Sequence, residues 1–324
     1  MKNPISKFVF SLVMLCLTLS CGDEGDFEKP VPVTAENPRS ESRPATNGRT
    51  ANLGNGVNLQ PSYFCSGNQD LGWTLMKQHA KIETVRIELD PTAQAGIDDF
   101  VRWIREANAN SLSVIATHHD ADFNGSPDPN ALLSAANWWK ANYATLSAAG
   151  PFMINLMNEW GDHNVTVKQY ADAYNAAIAI VRQVYSGPII CDIPGWGQET
   201  HTAADASPLI TDQNIIFSAH IYPSAWNSRT GKYVVSSDLD YLGNAGRPVL
   251  IGEFGSNMRG SADWSGLVDH AKAKGWTVLG WAWNGDGSRP DKMNMTSPYW
   301  GERNACGTKN YTTSSYFNTV YSKL

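Results

Sequence analysis

The chain has 324 residues, 42% of them hydrophobic and 17% charged, an ordinary globular balance with length for a large core. A net charge of −6 leaves no basic footprint for nucleic acid. Trp and Tyr are plentiful at 12 each; most must fill core, and a minority could be platforms on which sugar rings stack. Composition does not separate the two.

The first segment reads as a targeting sequence. Lys2 and Lys7 form a positive start, and Phe8 to Leu19 is an uncharged apolar run, too short for a membrane span and suited to a signal peptide over residues 1–21. Cys21 follows Leu19-Ser20 in an imperfect lipoprotein cleavage box, with Thr18 where Leu is usual. The acidic residues behind it, Asp23, Glu24 and Asp26, resemble the stretch that follows the lipidated Cys of bacterial surface lipoproteins. The expectation is a secreted, outer-membrane lipoprotein held through lipid on Cys21 rather than by a spanning helix; plain secretion with cleavage nearby is the simpler alternative. Residues 22–50 are rich in Pro, Glu, Ser and Asn and nearly free of large apolar groups, the composition of a flexible linker. The remainder, 51–324, reads as a single domain.

Within that domain, short apolar runs alternate with longer helical stretches. The runs are Val57–Leu59, Thr84–Leu89, Ser113–His118, Phe152–Asn158, Pro188–Ile193, Ile215–Tyr222, Val249–Phe254 and Val278–Trp283. They are often β-branched and do not alternate strictly, as strands buried on both faces read. Between them, 131–149 and 166–185 carry the clearest helical periodicity, with weaker patterns over 71–80, 97–108, 236–244 and 262–274. Eight strands alternating with helices predict an α/β fold, a (β/α)8 TIM barrel; an open doubly wound sheet shares the local pattern, but the strand count favours the barrel.

Of the cysteines, Cys16 and Cys21 belong to the leader. Cys191 lies inside the apolar Ile189-Ile190-Cys191 and is expected as a buried free thiol. Cys65 follows the first run and Cys306 the eighth. Those strands are neighbours in a closed barrel, so a Cys65–Cys306 disulfide is a possible pairing.

In such barrels the reactive groups stand where strands end and the following loops begin. Polar residues concentrate there: Arg86 on run two, His118-His119-Asp120 after run three, Asn158-Glu159 after run four, Trp196 after run five, His220 and Tyr222 on run six, Glu253 on run seven, Trp281 and Trp283 on run eight. Singly, each has an ordinary explanation as an ion pair, a hydrogen-bonded structural His or a packed Trp. Their convergence on one face is the signal. Glu159 and Glu253 end apolar runs, where burial raises a carboxyl pKa, and a close pair would keep one protonated and one ionised. That is the arrangement of a retaining glycosidase. Asp120-Ala121-Asp122 lacks further ligand spacing for a cation, and no metal or cofactor is expected.

Ile154-Asn155-Leu156-Met157-Asn158-Glu159-Trp160, Gly195-Trp196-Gly197-Gln198, Ser218-Ala219-His220-Ile221-Tyr222 and Leu250-Ile251-Gly252-Glu253-Phe254-Gly255 resemble, in order and spacing, the motifs of glycoside hydrolase family 5, a retaining (β/α)8 family, over about residues 55–290. The Gly-Trp-Gly-Gln stretch and Gly280-Trp281-Ala282-Trp283 look most like its bacterial endo-β-1,4-mannanases. The resemblance implies Glu159 as acid/base, Glu253 as nucleophile, and Asn158 as a partner of the sugar 2-hydroxyl. It implies that Arg86 keeps the nucleophile ionised, that His220 and Tyr222 position the two acids, and that Trp196 is a stacking wall. One of Trp281 and Trp283, with Trp283 favoured, would floor the −1 subsite, and His118 or His119 would fill the family's single His position. The activity implied is endo-cleavage of mannan, glucomannan or galactomannan; the sequence carries no sign of oligomeric state, and a monomer is the default expectation. An endo-β-glucanase of the same family, acting on cellulose or mixed-linkage glucan, is the alternative, and a glycan-binding lipoprotein on a dead hydrolase scaffold is a third reading.

Overall fold

A computed structural model describes residues 53–256, 258–287, 293–302 and 305–324. The expected signal peptide and linker, with Cys21 and the boundaries at 21 and 50, lie outside the described residues. Eight parallel strands close into a barrel: β1 Gly56–Leu59, β2 Thr84–Leu89, β3 Ser113–His118, β4 Met153–Asn155, β5 Ile189–Asp192, β6 Ile215–Ile221, β7 Val249–Phe254 and β8 Val278–Asn284. Each pairs with its neighbours in sequence, and β8 returns to pair with β1. Helices α1 Ile97–Ala109, α2 Pro129–Ser147, α3 Val167–Val181, α4 Thr200–Ala206, α5 Ser236–Gly243, α6 Trp264–Ala273 and α7 Phe317–Tyr321 surround it. No helix among the described residues is long and apolar enough to cross a membrane.

The helix ends follow local chemistry. Asp128 caps α2 by accepting from the Asn130 N–H, with Pro129 in the first turn, where its missing N–H costs nothing. Thr166 and Gln169 form a reciprocal capping box at α3. Strand β4 is shorter than the predicted Phe152–Asn158. Pairing continues past it through the Leu156 N–H to the Ile190 carbonyl and the Asn158 N–H to the His118 carbonyl. The ladder ends as Glu159 turns to φ 47°.

Two faces of the strands do different work. Arg86 on β2 reaches side chains on β1, β4, β5 and β7 (Asn58, Asn155, Asp192, Glu253), so it points into the barrel. Residues two apart share a face, so Glu88 and Asp90 point inward with it, while Val85, Ile87 and Leu89 join the layer between barrel and helices. Ile115 pairs with Arg86 and shares its side, packing with Ile190, Ile216, Leu250 and Leu279 as an apolar plug. A polar tier stands above that plug.

Register irregularities fall on the last two strands. Ser218 pairs with Leu250 but His220 with Glu253, so β7 carries one extra residue. Strand β8 carries two, between the pairs Val57–Gly280 and Leu59–Asn284. Cys65 and Cys306 form a disulfide (S–S 2.08 Å) that ties the segment after β1 to the segment after β8, and Cys191 is a buried free thiol.

Candidate active site

At the carboxyl end of the barrel Glu159, His220 and Glu253 meet, with one ligand-type atom of each lying within 4.8 Å of the others. Glu253 points inward because of the extra residue in β7: strict alternation from Leu250 would turn Gly252 inward and Glu253 outward. Its Oε1 accepts from Arg86 Nη1 at 2.9 Å, and its Oε2 from the Tyr222 hydroxyl at 2.6 Å. Burial pushes its carboxyl up, and the charges of His220 and Arg86 pull it back only in part, leaving it at about 7. Burial and the Glu253 charge hold the Tyr222 phenol well above its ordinary value, so it remains a donor.

Glu159 is the more open acid. Its backbone is held at both ends: its N–H donates to Asp192 Oδ2 at 2.9 Å, and its carbonyl accepts from the Gly125 N–H at 2.8 Å. Those bonds offset the cost, about 1–3 kcal/mol, of a left-handed conformation at a residue with a side chain. Its Oε1 lies 2.8 Å from His220 Nδ1. Burial alone would lower the His220 pKa, but Glu253, Asp192 and Glu159 outweigh it and carry the imidazole to about 9. At neutral pH it is an imidazolium, with Nδ1 3.5 Å from Glu253 Oε1 and Nε2 3.4 Å from Asp192 Oδ2. Close backbone approach makes room for it: a Cβ on Gly197 would sit 2.6 Å from the ring.

Arg86 organises the polar tier. Nε donates to Asn155 Oδ1 at 2.9 Å and Nη2 to Asn158 Oδ1 at 2.6 Å. The second bond leaves the Asn158 amide free to donate, and Asn124 Oδ1 takes it at 3.3 Å. Desolvation lowers the Arg86 pKa, yet Glu253, Asp192 and Glu88 more than offset it. The Glu159–His220–Glu253 trio is also the cluster among the described residues whose atoms could hold a metal ion. Arg86 and the His220 imidazolium already put positive charge on the Glu253 oxygens, which opposes a further cation.

Two expected site residues stand elsewhere. His118 shares the outward face of β3 with Val114 and Ala116 and packs edge-on against Trp138 of α2 at 5.2 Å. Burial lowers its pKa to about 4. His119, one residue on, faces the interior beside Glu88 and Asn124. Trp283, favoured above as the sugar floor, is fully buried in the outer core and donates to the Leu71 carbonyl at 2.9 Å. Trp281 clusters with Tyr222 and Met293 and donates to Asp286 at 2.9 Å. Both residues have the parity of the interior-facing Leu279; the two extra residues in β8 break the alternation between them. Trp196 is 37% exposed, in a left-handed conformation between Gly195 and Gly197, with its indole over Gly125, where a Cβ would lie 2.1 Å from the ring. Asp120 spends its carboxylate accepting from the Asp122 N–H rather than facing a cation.

Glu88, Asp90, Asp192, Asn58, Asn155, Tyr63 and Asn124 also line this polar tier, beyond the residues expected from the sequence. The first two had a signal: Arg86-Ile87-Glu88-Leu89-Asp90 alternates within a strand buried on both faces, which directs its polar residues to the barrel interior. Asp192 was marked by charge within an apolar run. Tyr63 and Asn124 come from loops and had none.

A protein-family model described as cellulase (glycosyl hydrolase family 5) matches residues 68–287, and the chain belongs to that family. It is 28% identical over 240 residues to a mannan endo-1,4-beta-mannosidase of Streptomyces lividans, covering 67% of this chain and 60% of the relative. It is 24% identical over 204 residues to one of Cellvibrio japonicus, covering 60% and 46%. The match thus spans about half the length of these curated relatives. Among solved structures, the beta-mannanase from Thermomonospora fusca shares the fold with TM-score 0.66 at 23% identity, over 86% of this chain and 93% of the other; it has also been solved as a mannohexaose complex. An endoglucanase catalytic domain from Thermobifida fusca aligns with TM-score 0.64 at 20% identity, over 84% and 91%.

Proposed function

We propose that this protein is a retaining endo-β-1,4-mannanase that cleaves mannan, glucomannan or galactomannan by double displacement. The observation that carries the reading is a close pair of carboxylates with unequal surroundings. Retaining glycosidases hold their two carboxyl groups about 5–5.5 Å apart, and here an oxygen of each lies within 4.8 Å of the other. Glu253 is the nucleophile, because Arg86 and Tyr222 both donate to it and draw it toward the ionised form against the burial that raises it. It attacks the anomeric carbon while Glu159 protonates the departing glycosidic oxygen. The resulting glycosyl ester removes the charge on Glu253. Glu159, now a carboxylate, takes a proton from water, which attacks the anomeric carbon and releases Glu253. Asn158 presents its amide to the sugar 2-hydroxyl, His119 faces the same interior, and Trp281 and Trp196 offer aromatic surface.

The mannan preference is supported by the names of the curated relatives. The likeness to an endoglucanase and the family model's description favour, as a second reading, an endo-β-glucanase on the same site. Release of reducing sugar from soluble mannan and from carboxymethylcellulose separates them: activity on mannan with little on the glucan is expected, and no release from any mannan rejects the first. NMR of the nascent anomer must show retention. Glu253→Ala should lose turnover by several orders of magnitude; unchanged turnover would reject the mechanism, and a wild type that binds β-glycans but hydrolyses none would leave glycan binding as the function.

We also propose that the protein works at the outer-membrane surface as a monomer, held by lipid on Cys21 behind the 22–50 linker. Metabolic labelling with a palmitate analogue should mark the wild type and not Cys21→Ala; an unlabelled wild type ends that idea.

A further inference from the structure

Glu88 is a carboxylate that the double displacement does not use. It stands on β2 two residues past Arg86, faces the barrel interior and is fully buried. Its Oε1 accepts from Arg86 Nη1 at 3.2 Å. The same nitrogen serves Glu253 Oε1 at 2.9 Å and Asn58 Oδ1 at 2.9 Å. Three acceptors share the two protons of one guanidinium nitrogen, so Glu88 competes with Glu253. The other oxygen, Oε2, is equally buried and has no hydrogen-bond partner among the described residues; across a 3.6 Å gap it faces His119 Nε2. A buried carboxylate oxygen left unpaired is costly enough to need a reason.

His119 is gripped from its other side. Its Nδ1 lies 2.6 Å from the Tyr63 hydroxyl, which in turn donates to Asp90, and 3.6 Å from Asp90 Oδ2. Asn124 Nδ2 lies 3.3 Å from Nε2.

We propose that Glu88 is a positioning residue for the nucleophile: one oxygen draws on Arg86 and the other faces His119, so Glu88 sets how much of the guanidinium Glu253 receives and makes that share depend on His119. The inference rests on reading Glu253 as the nucleophile. Burial lowers the His119 pKa, but the charges of Glu88 and Asp90 outweigh burial and the repulsion from Arg86, and the net shift is upward. A doubly protonated His119 attracts Glu88 and leaves Arg86 to Glu253. A neutral His119 releases Glu88 onto Arg86. The charged and titratable groups facing this relay are Tyr63 after β1, Arg86 and Asp90 on β2, His118 and Asp120 at the end of β3, Asp192 on β5, and Glu159, His220, Tyr222 and Glu253 across the barrel.

The test is the acid limb of kcat/KM against pH on soluble β-mannan for the intact protein, with the wild type measured first. Glu88→Gln keeps the shape and removes the charge, so Glu253 ionises more readily and the limb should move to lower pH by about half a unit to one unit. Glu88→Asp, which restores the charge, should return the limb toward the wild-type position. His119→Gln should move it the opposite way, to higher pH, since Glu88 then leans on Arg86. A purely structural Glu88 would change Tm and leave the limb in place; a limb for Glu88→Gln that is unmoved or moves up overturns the proposal. Should that variant not fold, His119→Gln decides alone, with an upward move supporting the coupling and an unmoved or lowered limb overturning it. A wild type inactive on every β-glycan tried would instead overturn the hydrolase reading, and this inference with it.

Discussion

At the scale of the residue, the site works by setting charges against each other in a space that water cannot screen. His220 shows the consequence most directly. Its pKa rises from 6.5 to about 9 because the carboxylates around it outweigh burial. A raised folded-state pKa means that the folded chain binds the proton more tightly than the unfolded one. The stabilisation is therefore fully present below pH 6.5 and is lost as pH rises through 9. Glu253, raised from 4.5 to about 7, acts with the same sign over a lower window. Melting curves should show Tm falling between pH 6.5 and 9.5, and His220→Gln should flatten that slope. A wild-type slope no steeper than the variant's would mean that the imidazolium is not held as described.

At the scale of the element, the irregularity in β8 assigns two tryptophans to different work. Trp281 lies beside Tyr222 at the site, while Trp283 is sealed in the outer core with its indole N–H on Leu71. Trp283→Ala should therefore act on stability, by about 3–5 kcal/mol for a large buried aromatic cut to Ala, read as a fall in the denaturation midpoint. Trp281→Ala should lower kcat/KM on mannan by about a hundredfold or more, roughly 3 kcal/mol of transition-state stabilisation, with a smaller change in Tm. The reverse pattern would restore Trp283 as the sugar floor.

For the whole molecule, closure is the main fact. A (β/α)8 barrel has no free strand edge once β8 pairs with β1, and the Cys65–Cys306 disulfide staples the same seam across 241 positions of chain. A cross-link over so long a loop restricts the unfolded chain strongly. The Cys65→Ala/Cys306→Ala double variant should lose about 2–5 kcal/mol, a Tm drop of roughly 5–15 °C for a domain of this size, with kcat little changed at 25 °C. Equal melting of wild type under reducing and non-reducing conditions would argue against a stabilising bridge.

The sequence by itself determined the barrel, because eight short apolar runs separated by amphipathic helices leave few other closed arrangements. It also marked Arg86, Asn158, Glu159, His220, Tyr222 and Glu253, since polar residues within or at the ends of otherwise apolar strands are costly to bury without a partner or a task. Tertiary structure alone decided which neighbour of a pair faces inward. His118 and His119 are one position apart, and only the face shared with Arg86 across the β2–β3 ladder separates them. Trp281 and Trp283 have equal parity along the chain, and an irregular register, set by how β8 fits between β1 and β7, turns them apart. Side-chain direction in a strand follows a period of two until a bulge resets it. A bulge is a property of paired strands and not of either strand's composition.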